Sequence, residues 1–125
     1  MRQTAPMTER FDDETISLIE RTDEVDVEAE RGHRTTIWIM VDGTDVYVRS
    51  VRGPRGRWYR ELVAAGRGTL HVGGRQIPVR GVAATDEASI DACNEALRRK
   101  YTGIPGFEPM FREETLETTL RLLPA

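Results

Sequence analysis

The chain has 125 residues, of which 38% are hydrophobic and 31% charged, and this length fits one domain and excludes two. No run approaches the ~20 apolar residues of a membrane span, and the N-terminus lacks the apolar stretch of a secretory signal, so we expect a soluble cytoplasmic protein. The only cysteine, Cys93, excludes a disulfide within the chain and a cysteine-based zinc site. The net charge of -3 combines an acidic segment over 9–30 with an arginine-rich segment over 49–80. These two segments could serve an anionic ligand or could face each other.

The first predicted elements are a tail, a helix and a half-exposed strand. Residues 1–7 are expected to be a disordered tail that precedes a single domain over 8–125. Apolar residues recur at helical spacing from Thr8 to Thr22, and Thr8 can cap this helix. From Val25 to Ala29 apolar residues alternate with acidic ones, which predicts a strand with one exposed face.

The next segment predicts a β-hairpin. The run from Thr35 to Val41 is almost continuously apolar or β-branched, which indicates a strand buried on both faces. Asp42-Gly43-Thr44 supplies the tight turn, and the return strand runs from Asp45 to Val51. A loop rich in glycine and arginine follows over 52–57.

A short helix and a second hairpin come after this loop. The helix is predicted from Trp58 to Ala65, with Gly66 as its stop. The hairpin joins Thr69–Val72 to Gln76–Val82. Pro78 indicates that the second of these strands is an edge strand or contains a bulge, because proline donates no ladder hydrogen bond.

A longer helix and a last strand complete the predicted fold. Thr85 or Asp86 caps a helix that runs to Tyr101, and the strand covers Thr115–Leu122. No βαβ rhythm and no internal repeat is present. We therefore predict an α+β protein whose antiparallel six-stranded sheet curls into a barrel. Its helices are one at the N-terminus, a short one after the arginine loop and a longer one before the last strand.

Few residues have the spacing of a catalytic or metal site. His33 and His71 are far apart and neither has a further ligand nearby in sequence, so no metal is expected. Cys93 falls on the apolar face of a helix, which is typical of a buried, inert thiol. The serines lack a nucleophile-elbow context, and no phosphate-loop or dinucleotide motif is present. The sequence therefore assigns no catalytic residue.

The segment from Ser50 to Tyr59, SVRGPRGRWY, is the best candidate for a binding site. Glycines let the backbone approach a ligand, and the amides of a helix N-terminus attract anions. Arginine binds phosphate bidentately, and Trp58 or Tyr59 could stack on a planar ring. The same residues equally allow a solvated basic loop that pairs with the acidic segment, and Trp58 could equally anchor its helix in the core.

The stretch RTTIWIMVDGTDVYVRSVRGPRGRWYRELVAAGRGTLHVGGRQIPVRGV, with the ending TLRLLPA, resembles a bacterial family of unknown function, the one numbered 2255. The order of W-Y-R-x-L, G-G-R and I-P-V is the most specific part of this resemblance. More distantly, the stretch is similar to split-barrel proteins that bind flavin or deazaflavin, which include nitroreductase-like and pyridoxamine-phosphate-oxidase-like proteins. This resemblance implies a homodimeric split barrel with FMN or the deazaflavin coenzyme at the dimer interface.

The resemblance also implies which residues hold the cofactor. They comprise an arginine that opens the buried strand, a hydroxyl residue that ends the next strand, the phosphate-contacting loop, and the aromatic pair that opens the short helix. The implied set is Arg34, Ser50, Arg52, Arg55, Gly56, Arg57, Trp58 and Tyr59. The loop lacks the lysine that many flavin-binding members have, and the segment after Tyr101 matches no substrate-binding tail.

Three functions are consistent with these features. The first is an oxidoreductase that holds a flavin or deazaflavin and passes a hydride to a small acceptor, with the ring doing the chemistry. The alternative is a non-catalytic split-barrel protein that binds an unknown ligand, which the 6% aromatic content and the missing lysine favour. Nucleic-acid binding by the arginine segment ranks last, because few aromatic residues interleave with the arginines and the net charge is negative.

Overall fold

The computed structural model describes residues 10–125, so the predicted tail over 1–7 and the predicted cap Thr8 lie outside the described residues. The helices are α1 (Asp13–Glu20), α2 (Arg57–Ala65), α3 (Glu87–Tyr101) and α4 (Glu113–Leu116). The strands are β1 (Glu24–Ala29), β2 (Arg34–Trp38), β3 (Met40–Asp42), β4 (Asp45–Val48), β5 (Arg67–Val72), β6 (Arg75–Ala83) and β7 (Leu120–Pro124). Single 3-10 turns cover Gly53–Arg55 and Glu108–Phe111. None of the helices in this part of the chain is long and apolar enough to cross a membrane.

All seven strands belong to one antiparallel sheet with the order β2-β1-β5-β6-β7-β4-β3. The two edge strands, β2 and β3, follow each other in the chain and are separated only by Ile39. The sheet must therefore curl until the end of β2 lies beside the start of β3, as the right-handed twist of strands allows. The predicted α+β class and the curled antiparallel sheet are confirmed, while the prediction of six strands is wrong because one of them divides at Ile39.

The division at Ile39 is stabilised by the C-terminal end of α3. The Ile39 N–H donates to the Tyr101 hydroxyl at 3.1 Å, and the Ile39 carbonyl accepts from the Lys100 Nζ at 3.0 Å. The Tyr101 hydroxyl in turn donates to the Asp23 carbonyl at 2.7 Å. These contacts satisfy backbone groups that leave the strand ladder at this point, so the chain can change direction without unpaired polar atoms.

Two apolar clusters pack on the two faces of the sheet. The cluster inside the curl includes Ile19, Val46, Val48 and Leu62, and the cluster outside it lies under α3 and includes Tyr47 together with Cys93, Leu97 and Tyr101. In the predicted return strand, Val46 and Val48 therefore face the inner cluster, and Tyr47 between them faces the outer one. Both faces of β4 are buried, because Tyr47 on its outer face packs against Cys93 and Leu97 of α3.

Local signals correctly predicted several element boundaries. The hairpin between β3 and β4 turns at Gly43, where φ is +64°, and pairs Asp42 with Asp45. Helix α2 ends at Gly66 with φ of +78°, which glycine adopts without steric cost. Helix α3 is capped by Asp86, whose side chain accepts from the Ser89 N–H at 3.2 Å.

Three predictions about strands and caps are corrected by the structure. The run from Thr35 to Val41 is not buried on both faces throughout, because its first half forms the edge strand β2, where Thr36 is exposed. The first described helix begins at Asp13, and the Asp12 carboxylate caps it by accepting from the Thr15 N–H at 2.7 Å. The predicted strand over Thr115–Leu122 is helical at its start, where it forms α4.

Pro78 does not mark an edge strand, because β6 lies between β5 and β7. Its carbonyl accepts from the Ala125 N–H at 3.1 Å, beyond the last residue of β7. A residue's nitrogen and carbonyl point to the same side of a strand, so the nitrogen of Pro78 faces the place where β7 has ended. The missing N–H therefore leaves the pairing of β6 with β5 intact and falls at the end of the pairing with β7.

Candidate functional site

A cleft of about 440 Å³ lies where the arginine loop meets the edge strand β2. Its lining comes from three parts of the chain: the first strands, the loop that leads into α2, and the segment after α3. The lining residues are Glu24, Thr35, Thr36, Ile37, Trp38, Arg49, Ser50, Val51, Arg52, Gly56, Arg57, Trp58, Gly106 and Met110. The cleft thus combines aromatic walls with several guanidinium groups.

The structure brings five of the eight predicted cofactor residues into this cleft: Ser50, Arg52, Gly56, Arg57 and Trp58. The other three lie near the cleft without lining it. The Nε of Arg34 donates to the Asp26 carboxylate on β1 at 2.9 Å. The ring of Tyr59 packs against the inner core and meets the Trp58 ring edge-on at 6.3 Å. The side chain of Arg55 is exposed on the 3-10 turn.

The predicted set omits Arg49, which lines the cleft and is only 2% exposed. Its Nε donates to Thr119 Oγ1 and its Nη1 to Asn94 Oδ1, both at 2.7 Å. Longer hydrogen bonds reach the carbonyl oxygens of Met110 at 3.4 Å and Ile90 at 3.3 Å. All four acceptors are neutral, and Arg49 forms no ion pair with any residue over 10–125.

Burial lowers the pKa of the Arg49 guanidinium from its ordinary value, but arginine remains charged at neutral pH. A buried charge without a counter-charge is costly unless hydrogen bonds or a ligand compensate it. The four neutral acceptors use four of the five guanidinium N–H donors. The sequence contained one signal for this residue, an arginine alternating with buried positions in a predicted strand.

Ser50 and Gly56 shape the loop by direct contact with each other. The Ser50 hydroxyl donates to the Gly53 carbonyl at 2.8 Å, and the Ser50 N–H donates to Thr118 Oγ1 at 2.9 Å. A Cβ atom at position 56 would overlap the Ser50 Oγ. Because its proton is already donated, the Ser50 hydroxyl can meet a ligand only as an acceptor.

The loop arginines differ in whether they form hydrogen bonds or ion pairs within the protein. The Nε of Arg57 lies 3.3 Å from Glu61, whose carboxylate also accepts from the His33 N–H at 2.9 Å. The hydrogen bond from the His33 backbone is the main cause of the lowered pKa of Glu61. Hydrogen bonds from the His33 ring and from Arg57 lower it further. Within the described part of the chain, the guanidinium of Arg52 makes no hydrogen bond or ion pair and is free to bind an anion.

Other chemistries find little support in the part of the chain that the structure describes. No three His, Cys, Asp or Glu side chains over 10–125 come together as metal ligands. Cys93 is buried, and burial raises the pKa of its thiol to about 12. The thiol is therefore protonated at neutral pH and is not a nucleophile.

The curled antiparallel sheet, with helices packed against both of its faces and a cleft at its edge strand, is a split-barrel-like fold. Two solved structures share this fold over most of their length. A protein of Bacteroides thetaiotaomicron VPI-5482, whose name suggests a role in 5-nitroimidazole antibiotic resistance, aligns with a TM-score of 0.59 and 14% identity, covering 90% of this chain and 79% of its own. The conserved hypothetical protein Rv2991 of Mycobacterium tuberculosis aligns with a TM-score of 0.60 and 11% identity, covering 100% of this chain and 85% of its own.

The family is defined by the sequence itself. A family model described as an uncharacterized protein conserved in bacteria, DUF2255, matches residues 15–122. The chain belongs to this family, as the motifs of the arginine loop and second hairpin predicted. The comparison with curated proteins found no match.

Proposed function

We propose that the protein is a nitroreductase-like oxidoreductase whose cleft binds flavin or deazaflavin for hydride transfer to a small acceptor. The observation that supports this most directly is a cleft that joins two indole rings to a buried arginine with no carboxylate partner among residues 10–125. Aromatic walls suit a planar ring, and guanidinium groups suit a phosphate. The similarity in fold to a protein whose name refers to 5-nitroimidazole resistance agrees with this class.

The residues of the cleft fit such a cofactor. Arg52 and Arg57 can hold the phosphate, with the first N–H groups of α2 as further donors. Trp38 and Trp58 can cover the ring and exclude water; the Trp38 ring is itself stacked on Tyr101 at 4.2 Å with 1° between the ring planes, which keeps it from turning. A bound flavin or deazaflavin supplies the redox chemistry, so the cleft requires no catalytic triad.

The charge in the cleft also favours an anionic ligand. Arg49, Arg52 and Arg57 contribute three positive charges, and among the described residues Glu24 is the one carboxylate in the lining. The cleft is therefore cationic although the whole chain has a net charge of -3. We further propose that a second copy of the chain completes this site, because the cleft lies along the edge strand β2, which among the strands over 10–125 pairs only with β1.

A titration with FMN, riboflavin and the deazaflavin coenzyme, followed by fluorescence quenching and paired with a sizing column, tests this function. We expect a dimer that binds FMN or the deazaflavin coenzyme. Riboflavin differs from FMN only by the phosphate, and losing charge-assisted hydrogen bonds should weaken its binding at least about tenfold relative to FMN. If neither phosphate-bearing cofactor binds, the proposal is wrong and the non-catalytic binding protein becomes the better description.

Changing Glu61 to glutamine is expected to tighten FMN binding. The Glu61 carboxylate competes with a ligand phosphate for Arg57, but an exposed ion pair of this kind is weak. The gain should therefore be small, at most about fivefold. Glutamine keeps an oxygen that can accept from the His33 N–H, so the turn before β2 should remain in place. Riboflavin serves as the control, because without a phosphate its affinity should stay unchanged; an equal gain for both ligands would contradict the competition.

A further inference from the structure

A second, smaller cavity of about 270 Å³ lies at the C-terminal end of α3, and the function proposed above makes no use of the lysine in it. It is lined by Asp23, Glu24, Trp38, Lys100, Tyr101 and Ile104. Glu24 and Trp38 also line the first cleft, so the two cavities are neighbours. Lys100 is the only lysine of the chain.

The amine of Lys100 is oriented by two backbone carbonyls. Its Nζ lies 3.1 Å from the carbonyl oxygen of Ile19 and 3.0 Å from that of Ile39. A neutral amine has two N–H bonds and one lone pair, so these two acceptors use both of its protons and leave the lone pair in the remaining direction. An ammonium would have a third N–H, and Lys100 forms no ion pair with a carboxylate over 10–125.

The surroundings of Lys100 increase the fraction of its amine that is neutral. Burial lowers the pKa of Lys100 to about 8, which outweighs the opposite effect of Asp23 and Glu20. The other groups that face it are Glu24 on β1 and the Tyr101 ring, whose centroid is 5.4 Å from Nζ. The pKa of Tyr101 is raised to about 12, mainly by burial, so this neighbour stays uncharged. Buried lysines of this kind are the usual Schiff-base nucleophiles.

We propose that the cavity beside Lys100 is a covalent binding site in which its amine forms an imine with small, neutral aldehydes. The lone pair attacks the carbonyl carbon and forms the C–N bond. One amine proton moves to the carbonyl oxygen, which takes a second proton from solvent and leaves as water. The other amine proton stays on the iminium nitrogen, where it can still donate to one of the two carbonyls.

The lining indicates which aldehydes fit. Trp38, Tyr101 and Ile104 offer flat or apolar surface to an aromatic or aliphatic substituent. Asp23 and Glu24 stabilise the cationic iminium and repel an anionic aldehyde. A neutral aromatic aldehyde is therefore preferred over a carboxylated one of the same size.

The test treats the full chain with benzaldehyde or 4-carboxybenzaldehyde, traps the imine with cyanoborohydride, and maps the benzylated residues by mass spectrometry. Peptide mapping separates Lys100 from the terminal amine. We expect labelling of Lys100 with a midpoint near pH 8, and at pH 7 at least about tenfold faster than that of Nα-acetyllysine, because a larger fraction of its amine is neutral. Benzaldehyde should label it faster than 4-carboxybenzaldehyde.

Two controls make the result decisive. Lys100→Arg keeps donors for both carbonyls and removes the nucleophile, so only the terminal amine should react. The wild-type chain in urea should lose its preference for benzaldehyde, and its midpoint should rise towards that of free lysine. Labelling of folded Lys100 no faster than that of Nα-acetyllysine, or equal rates with both aldehydes, would overturn the proposal. The cofactor titration is a separate measurement, so either proposal can fail without the other.

Discussion

Changing Arg49 to methionine is expected to weaken FMN binding by about 10- to 100-fold, because a charge-assisted contact is worth about 1.5–3 kcal/mol. Arg49 is the buried cation of the cleft, and its four protein acceptors are all neutral. A bound phosphate or anionic ring is therefore the group that would balance its charge. Fluorescence titration with FMN measures the change in affinity.

The control for this substitution is Arg75→Met, which removes an arginine that is exposed and does not line the cleft. Its FMN affinity should equal that of the wild type. The loss of hydrogen bonds to Asn94 and Thr119 should also lower the Tm of Arg49→Met by several degrees, so circular dichroism must first show that the variant is folded at the titration temperature. A folded Arg49→Met protein with wild-type affinity would show that this charge is structural only.

Changing Gly56 to alanine is expected to destabilise the protein by about 1–3 kcal/mol, the range for overpacking a well-packed position. The backbone at Gly56, with φ of -59° and ψ of 131°, is one that alanine adopts freely, so the cost comes from space alone. The new Cβ would meet the Ser50 Oγ and force that hydroxyl away from the Gly53 carbonyl. Urea denaturation measures the free energy of unfolding.

A double-mutant cycle tests the cause of this loss. Ser50→Ala removes the oxygen that the new Cβ would meet, so Gly56→Ala should cost clearly less in the Ser50→Ala background than in the wild type. If the two costs were equal, the contact between Ser50 and Gly56 would not be the reason for glycine at this position. The cycle thus separates loop packing from cofactor contact as the role of Gly56.

The cleft shows how much of a binding site can be predicted from residue patterns. The glycine and arginine pattern and the family resemblance named five residues that the structure brings into one cleft. Arg34 does not line the cleft, because its guanidinium donates to Asp26 on the neighbouring strand. The pattern of residues does not reveal the register of that strand pair. The predicted set of site residues omitted Arg49, because its burial depends on Asn94 in α3 and Thr119 before β7, which are 45 and 70 positions away in sequence.

The sequence by itself determined the features whose cause is local. The turn at Gly43 and the helix stop at Gly66 require positive φ, which only glycine adopts without cost, and Asp86 can cap α3 because its acceptor reaches an amide three residues away. Family membership also follows from the sequence, since its model matches residues 15–122.

Tertiary structure alone decided the features whose cause lies far along the chain. The break at Ile39 depends on Lys100 and Tyr101, which supply hydrogen bonds to a backbone that would otherwise continue as one strand. The segment that begins at Thr115 has a strand-like composition, yet the Thr118 hydroxyl bonds to the Thr115 carbonyl at 2.6 Å and its N–H meets the same oxygen at 3.0 Å, so a turn replaces the strand. Periodicity indicates which side chains are apolar, but it contains no information on which distant groups will hydrogen-bond to a given backbone or side chain. Those distant hydrogen bonds are the reason for both the seventh strand and the buried position of Arg49.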